Sequence, residues 1–144
     1  MKNIYAVYSA GGFGREIMPV LKSNYLSDNS EFVFVDDGIQ QEQVNGFLVM
    51  TYEDFKSVKA ASKKIVIAVA DSKVREKLAN KCESDGIGFV EIVADNAIAY
   101  ETANAKEGLI LFVYCLLTDN VKIGKHCHIS ANSYVGHDCT IGDF

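Results

Sequence analysis

Near the end of the chain an imidazole and a carboxylate stand side by side, at His137 and Asp138. Histidine, with a pKa near 6.5, is largely neutral at pH 7 and takes a proton from an attacking amine or hydroxyl. A neighbouring carboxylate orients the ring and stabilises the imidazolium that forms. Adjacent strand residues point to opposite faces, so Asp138 assists His137 only if the chain turns a corner there. Composition alone favours a surface histidine at 137.

A second stretch with chemical potential is Ser9-Ala10-Gly11-Gly12-Phe13-Gly14, between the apolar run 3–8 and Arg15-Glu16-Ile17. Strand, glycine-rich turn and helix start form a Rossmann-like unit, in which the glycines let backbone N–H groups approach a phosphate at the positive helix end. The run 31–35 ends in Asp36-Asp37. An acidic residue about 20 positions past such a turn is placed to bind a nucleotide's sugar or base; the alternative for this pair is a solvated turn.

The elements that position these residues differ between the two parts of the chain. From Val93 onward every sixth residue is aliphatic: Val93, Ala99, Ala105, Leu111, Leu117, Ile123, Ile129, Val135 and Ile141. Two residues before each later member stands a small or apolar one: Ala97, Ala103, Leu109, Cys115, Val121, Cys127, Ser133, Cys139. Neither helix nor plain strand has this period, which predicts a solenoid with one aliphatic residue per short face filling the interior. Gly124 and Gly142, just after aliphatic positions, are expected at the corners with positive φ. A run of hairpins would require Asn-Gly or Asp-Gly turns, and none occurs after residue 93. His126 and His128 fall one face before His137, and exposure is the expectation for both.

Before residue 93 the pattern is α/β. Strands are expected at 3–8, 31–35, 64–70 and 88–93, with a short edge element at 46–49 after a polar loop at 40–45. One helix follows the glycine turn, a second is capped by Thr51 with Asp54, and a third by Asp71 or Ser72. Pro19 inside the first helix costs about 3 kcal/mol and predicts a short or kinked first turn. The order favours an open parallel sheet covered by helices: an α/β N-terminal Rossmann-like domain at 1–92, then a β-helix at 93–144.

Composition narrows the function. A net charge of −5 with no basic cluster argues against nucleic acid or anionic membrane as partner. No apolar run reaches the length of a membrane span, and the N-terminus has no signal-peptide design. The four cysteines form no CxxC, and the last three are twelve residues apart, twice the repeat. They are expected as small core residues, with no metal and no disulfide, in a reducing cytoplasmic compartment.

Taken together, these features resemble one family. Ile123-Gly124, Ile129-Ser130, Val135-Gly136 and Ile141-Gly142 look like the hexapeptide repeats of left-handed parallel β-helix acyltransferases. A Rossmann-like N-domain joined to such a helix is the plan of the sialic-acid O-acetyltransferase and UDP-amino-sugar N-acetyltransferase family (the sugar O-acyltransferases). Ser9–Gly14 resembles the family's Gly-Ala-Ser-Gly-His-Gly turn, and Asp36-Asp37 its Asp-Asp after the second strand. Ala68-Val69-Ala70-Asp71 with Arg75 resembles Ala-Ile-Gly-Asn and its following arginine. The segment 135–144 is similar to the segment around the family's catalytic histidine.

The resemblance implies an acetyltransferase of surface-glycan biosynthesis, with acetyl-CoA as co-substrate and a nucleotide-linked amino sugar, UDP-linked, or a sialic acid as acceptor. It implies His137 as base with Asp138 beside it, and phosphates over Ala10, Gly11, Gly12, Phe13 and Gly14. Asp36, with Asp37, contacts uracil or ribose, Arg75 lies near the sugar nucleotide, and the assembly is a homotrimer. Four departures bear on the substrate: Ser9 for the turn's first glycine, Phe13 and Ala94 for histidines, and Ala70-Asp71 for Gly-Asn. Family members continue for further coils, so the β-helix reads as truncated. A non-catalytic nucleotide-sugar-binding relative is the alternative. A small NAD-dependent redox protein fits poorly, because Ser9-Ala10-Gly11 spoils the GxGxxG fingerprint.

Overall fold

A computed structural model describes residues 1–144, which divide into two compact units, Met1–Phe89 and Val90–Phe144. The first contains β1 (Asn3–Tyr8), α1 (Gly12–Tyr25), β2 (Ser30–Val35), β3 (Gln43–Val44), β4 (Phe47–Met50), α2 (Tyr52–Ser57), β5 (Ser62–Ile67), α3 (Ser72–Ser84) and β6 (Gly88–Phe89). Its sheet has the order β3-β4-β2-β1-β5-β6, parallel except for the β3–β4 pair. The chain moves from β1 outward to β2 and β4, then crosses to β5 on the other side of β1. Such a reversal opens a crevice at the carboxyl ends of the strands, where the glycine turn leaves β1.

The central strands are apolar because both their faces are covered: Ala6, Val7, Val33, Phe34, Ile65 and Val66 are all buried. Helix α1 buries Ile17, Met18 and Leu21, one stripe at helical spacing. It runs for 14 residues through Pro19, so the expected short first turn is not found. Proline removes only one intrahelical hydrogen bond here, its ring is solvent-exposed, and the buried stripe on both sides of it holds the helix together. Thr51 Oγ1 accepts from the Asp54 amide at 3.1 Å, and Asp71 Oδ1 from the Val74 amide at 2.9 Å, the two caps expected.

Two local readings are corrected. The loop at 40–45 contains β3, which pairs with β4 across Asn45-Gly46, both with positive φ (51° and 80°). That is the Asn-Gly hairpin turn whose twist suits antiparallel strands. The single strand expected at 88–93 is two elements: β6 pairs with β5, whereas β7 (Ile92–Val93) pairs with β10 (Ile110–Leu111).

The second unit is a left-handed parallel β-helix. Besides β7 and β10 it contains β8 (Ile98–Ala99), β9 (Asn104–Ala105), β11 (Leu116–Leu117), β12 (Lys122–Ile123), β13 (His128–Ile129), β14 (Tyr134–Val135) and β15 (Thr140–Ile141). Its three sheets are β7-β10-β13, β8-β11-β14 and β9-β12-β15. Ile92 aligns with Ile110 and Ile110 with His128, so one coil takes 18 residues, or three hexapeptides. Leu109, Leu111, Cys115, Leu117, Val121, Ile123, Cys127, Ile129 and Val135 form one buried core. Val93 and Ala99, in the first coil, stay exposed.

The corners differ from expectation. Left-handed backbone recurs every six residues at Gly108, Tyr114, Asn120, His126, Asn132, Asp138 and Phe144, the first six of them three residues before the aliphatic positions from Leu111 to Ile141. Gly124 and Gly142 have no positive φ. Gly124 is instead a point of close approach, because a Cβ there would lie 2.5 Å from the Gly142 carbonyl carbon in the next coil. Non-glycine residues pay about 1–2 kcal/mol in the left-handed region. Backbone bonds to the coil before hold them there: His126 N–H to Glu107 O, Asn132 N–H to Val113 O, Asp138 N–H to Asp119 O and Phe144 N–H to Lys125 O, at 2.8–3.0 Å.

His126 is buried, not exposed: its ring stacks on Phe144, with centroids 5.4 Å apart, and lies against Gly108. Cys115 and Cys127 are interior, donating to the Ser130 and Gly142 carbonyls at 3.0 and 2.8 Å, but Cys139 is exposed. It sits in the third coil, beside β15.

Candidate functional site

The glycine turn is built around Ser9, whose φ of 86° places a non-glycine residue in left-handed backbone. Its amide donates to Val35 O at 2.8 Å, and its hydroxyl accepts from Gly11 N–H at 3.2 Å. Gly11 caps α1 without a side-chain hydrogen bond, at the positive end of the helix. Arg15, on that turn, folds back so that Nε donates to Gly11 O at 3.4 Å.

Asp36 joins this turn directly. Oδ2 accepts from Ala10 N–H and Oδ1 from Gly38 N–H, each at 2.9 Å. The carboxylate at the end of β2 therefore fixes the turn at the end of β1. Asp37 is engaged elsewhere, with Oδ1 accepting from Tyr52 N–H at 2.8 Å and Oδ2 from the Tyr8 hydroxyl at 3.4 Å. Arg75 is buried, and its Nη1 donates to Val69 O (2.7 Å) and Ala70 O (3.0 Å), which ties down the end of the β5 segment. The sequence therefore places Ala10–Gly14 and Asp36 together, while Asp37 and Arg75 brace the surrounding loops.

Tyr8 and Tyr52 stack with centroids 5.7 Å apart, and the Tyr52 hydroxyl donates to Asp85 Oδ2 at 2.9 Å. Lys56 pairs with Asp85 at 3.0 Å, and the Lys81 ammonium lies 3.8 Å from the Tyr52 ring centroid. Burial, reinforced by Asp37 and Asp85 respectively, raises both phenol pKa values, and burial pushes the Cys82 thiol up to about 11. These acids stay neutral in the fold after the unfolded chain has begun to ionise. Above the ordinary thiol and phenol values, roughly 8.5 and 10, the unfolded state binds fewer protons and stability falls as pH rises. Alkaline unfolding is expected to coincide with tyrosinate absorbance from Tyr8 and Tyr52, followed at 295 nm. Tyr52→Phe and Cys82→Ala should each flatten the alkaline limb.

In the β-helix, His137 and Asp138 share the corner between β14 and β15. Asp138 has φ 60°, and this turn brings its Oδ2 to 2.8 Å from His137 Nδ1. Both side chains are exposed, at 78% and 68%. Hydrogen bonds from His137 first and Asn120 second hold the Asp138 carboxyl below the usual carboxylate range, so it is ionised at neutral pH and can only accept. In the neutral ring Nδ1 therefore carries the proton and Nε2 the lone pair. Asn120 Nδ2 lies 3.4 Å from the other oxygen, Oδ1. Sequence reasoning missed Asn120, although stepping back one 18-residue coil from Asp138 lands on it. No group of three His, Cys, Asp or Glu side chains is arranged to hold a metal, and no helix is long and apolar enough to cross a membrane.

Residues 5–82 match the family model of the PglD N-terminal domain. The chain belongs to this family. It is 31% identical over 145 residues to GDP-perosamine N-acetyltransferase of Escherichia coli O157:H7, covering 99% of this chain and 66% of that protein. WeeI from Acinetobacter baumannii AYE is 41% identical with a TM-score of 0.92, over 99% of this chain and 68% of WeeI. The acetyltransferase domain of PglB from Neisseria gonorrhoeae FA1090, solved with acetyl coenzyme A, shares the fold at 21% identity, with a TM-score of 0.88 over 99% of this chain and 69% of that one. The chain thus spans about two thirds of the length of these relatives. With the PglD N-terminal domain and the hexapeptide β-helix both present, the sugar acetyltransferase family is the one the sequence resembled.

Proposed function

We propose that the protein carrying this chain transfers an acetyl group from acetyl-CoA to the amino group of a nucleotide-linked amino sugar. The observation that carries the reading is the His137–Asp138 pair, a solvent-exposed imidazole whose Nδ1 is held by a carboxylate. The acceptor nitrogen attacks the thioester carbonyl while His137 Nε2 takes its proton. The C–N bond forms, the C–S bond breaks, and the imidazolium protonates the departing CoA thiolate. Asp138 stabilises the charge that His137 gains.

The nucleotide diphosphate sits over Ala10–Gly14 at the start of α1, and Asp36 and Asp37 set the position of the loop facing the base and ribose. An amino sugar, not a sialic acid, is favoured as acceptor by the relative named GDP-perosamine N-acetyltransferase. The nucleotide is UDP on the family resemblance and GDP by analogy with that relative. The assembly is a homotrimer in the cytoplasm serving surface-glycan synthesis. An outward row of Ile98, Leu116 and Tyr134, aligned in register on one face, supplies an apolar surface for a neighbouring copy.

Titration calorimetry with a UDP- and then a GDP-linked amino sugar, followed by acetyl-CoA, tests the reading. Micromolar binding of one nucleotide sugar is expected, abolished by mutation in the glycine turn. Binding of acetyl-CoA alone overturns the acceptor assignment, and no binding of either nucleotide sugar overturns the role given to the turn.

A further inference from the structure

The carboxylate that orients His137 is itself held, and the hold comes from Asn120, one coil earlier in a column of corner residues. Asp138, Asn120 and Thr102 are spaced 18 residues apart, one coil each. Asn120 shares the left-handed backbone of Asp138, with φ 56° against 60°. The Thr102 hydroxyl donates to Asp119 Oδ1 at 2.5 Å and accepts from Asn120 N–H at 3.1 Å. Asp119 O in turn accepts the Asp138 amide at 2.9 Å. From this anchored corner Asn120 Nδ2 reaches Asp138 Oδ1 at 3.4 Å, while Oδ2 serves His137 at 2.8 Å.

An exposed aspartate with one partner rotates freely about its side-chain bonds, and its hydrogen bond to the imidazole is then intermittent. With one oxygen held by an amide and the other by the ring, the carboxylate plane has a single favoured setting. We propose that Asn120 is a positioning residue, whose side-chain amide sets the Asp138 carboxylate so that His137 keeps its proton on Nδ1 and its lone pair on Nε2. The proposal deepens the reading of His137 as the base and rests on it. The residue type fits both demands of the position. Asparagine tolerates left-handed backbone, and it offers a donor where aspartate would set a second negative charge against Asp138.

The test uses three variants and two readouts. Asn120→Gly keeps the left-handed backbone at no strain and deletes the amide, Asn120→Asp reverses the contact, and Thr102→Val loosens the column without touching the amide. Long-range nitrogen–proton NMR reads the His137 tautomer at a pH where the ring is neutral, and steady-state kinetics with acetyl-CoA and the amino-sugar nucleotide read kcat and KM. The wild type is expected to show the Nδ1–H form. In Asn120→Gly and Asn120→Asp the Nε2–H form should grow and kcat should fall about tenfold, the effect of one lost hydrogen bond, with KM unchanged. Thr102→Val should leave the tautomer as in the wild type.

A wild-type tautomer in Asn120→Gly overturns the proposal. So does an equal tautomer shift in Thr102→Val, which would make general rigidity of the corner the cause. If the tautomer shifts as expected while His137→Ala remains active, the positioning stands and the assignment of the base falls.

Discussion

Alanine at His137 is expected to reduce acetyl transfer by roughly 10²–10⁴-fold, the usual worth of a positioned general base, while nucleotide-sugar affinity stays as in the wild type. The two effects separate because the ring lies on a β-helix corner, whereas the glycine turn and Asp36 belong to the other unit. The imidazole is 78% exposed, so its removal leaves no cavity and should change stability by no more than about 0.5 kcal/mol. Loss of activity with an unchanged melting temperature therefore assigns a chemical role to the ring. Activity that survives the substitution means the proton leaves by another route. Asp138 stays ionised below the usual carboxylate range because it accepts from His137 and Asn120, so the carboxylate keeps its charge on mild acidification. In Asp138→Asn the acceptor charge is gone while the left-handed corner is tolerated, and the rate should fall with the nucleotide site intact.

The β-helix was legible because its constraint is periodic: one interior residue per face, repeated from residue 93, leaves few other folds. The position of its corners was not. Glycine marks positive φ only where sterics demand it, and this solenoid fills the left-handed positions with Tyr114, Asn120, His126, Asn132 and Asp138, each held by the preceding coil. The glycine that looked like a corner, Gly124, answers to a neighbour 18 residues away, which no local pattern encodes. His126 hides its ring for the same reason, since its partners Gly108 and Phe144 lie one coil to either side. In the first unit both side-chain caps followed from local chemistry, whereas the strand expected at 64–70 runs from Ser62 to Ile67, and the Asn45-Gly46 hairpin was present in the sequence as a turn signal. What Asp36, Asp37 and Arg75 bind within the fold was not readable, because an acid or a base at a strand end looks alike whether it meets a ligand or a backbone amide 26 residues away.

Alanine at Gly14 is expected to destabilise the first unit by about 3 kcal/mol, the upper end of overpacking costs, and to abolish nucleotide-sugar binding. A Cβ there would stand 1.9 Å from Ser9 O and 2.9 Å from Ser9 C, with Val7 Cγ1 at 3.3 Å behind them. The obstructing atoms are backbone, and the turn cannot yield cheaply. Ser9 is already in left-handed conformation, its amide is bound to Val35 O, and the next amide is bound to Asp36. Moving Ser9 aside breaks one or both of those bonds, each worth about 1 kcal/mol net and more if a buried group is left unpaired. Helix propensity pulls the other way, since alanine is favoured over glycine by about 1 kcal/mol inside a helix, but the clash is several times larger. Gly12→Ala separates the two terms. Its Cβ would meet nothing nearer than Arg15 Nη2 at 3.9 Å, so only the propensity gain remains and stability should hold or rise slightly. Urea denaturation of the two variants, with nucleotide-sugar titration of each, measures the difference. Equal stabilities would mean that the turn relaxes around the methyl group, and that Gly14 is glycine for the ligand's sake and not for the close approach of Ser9.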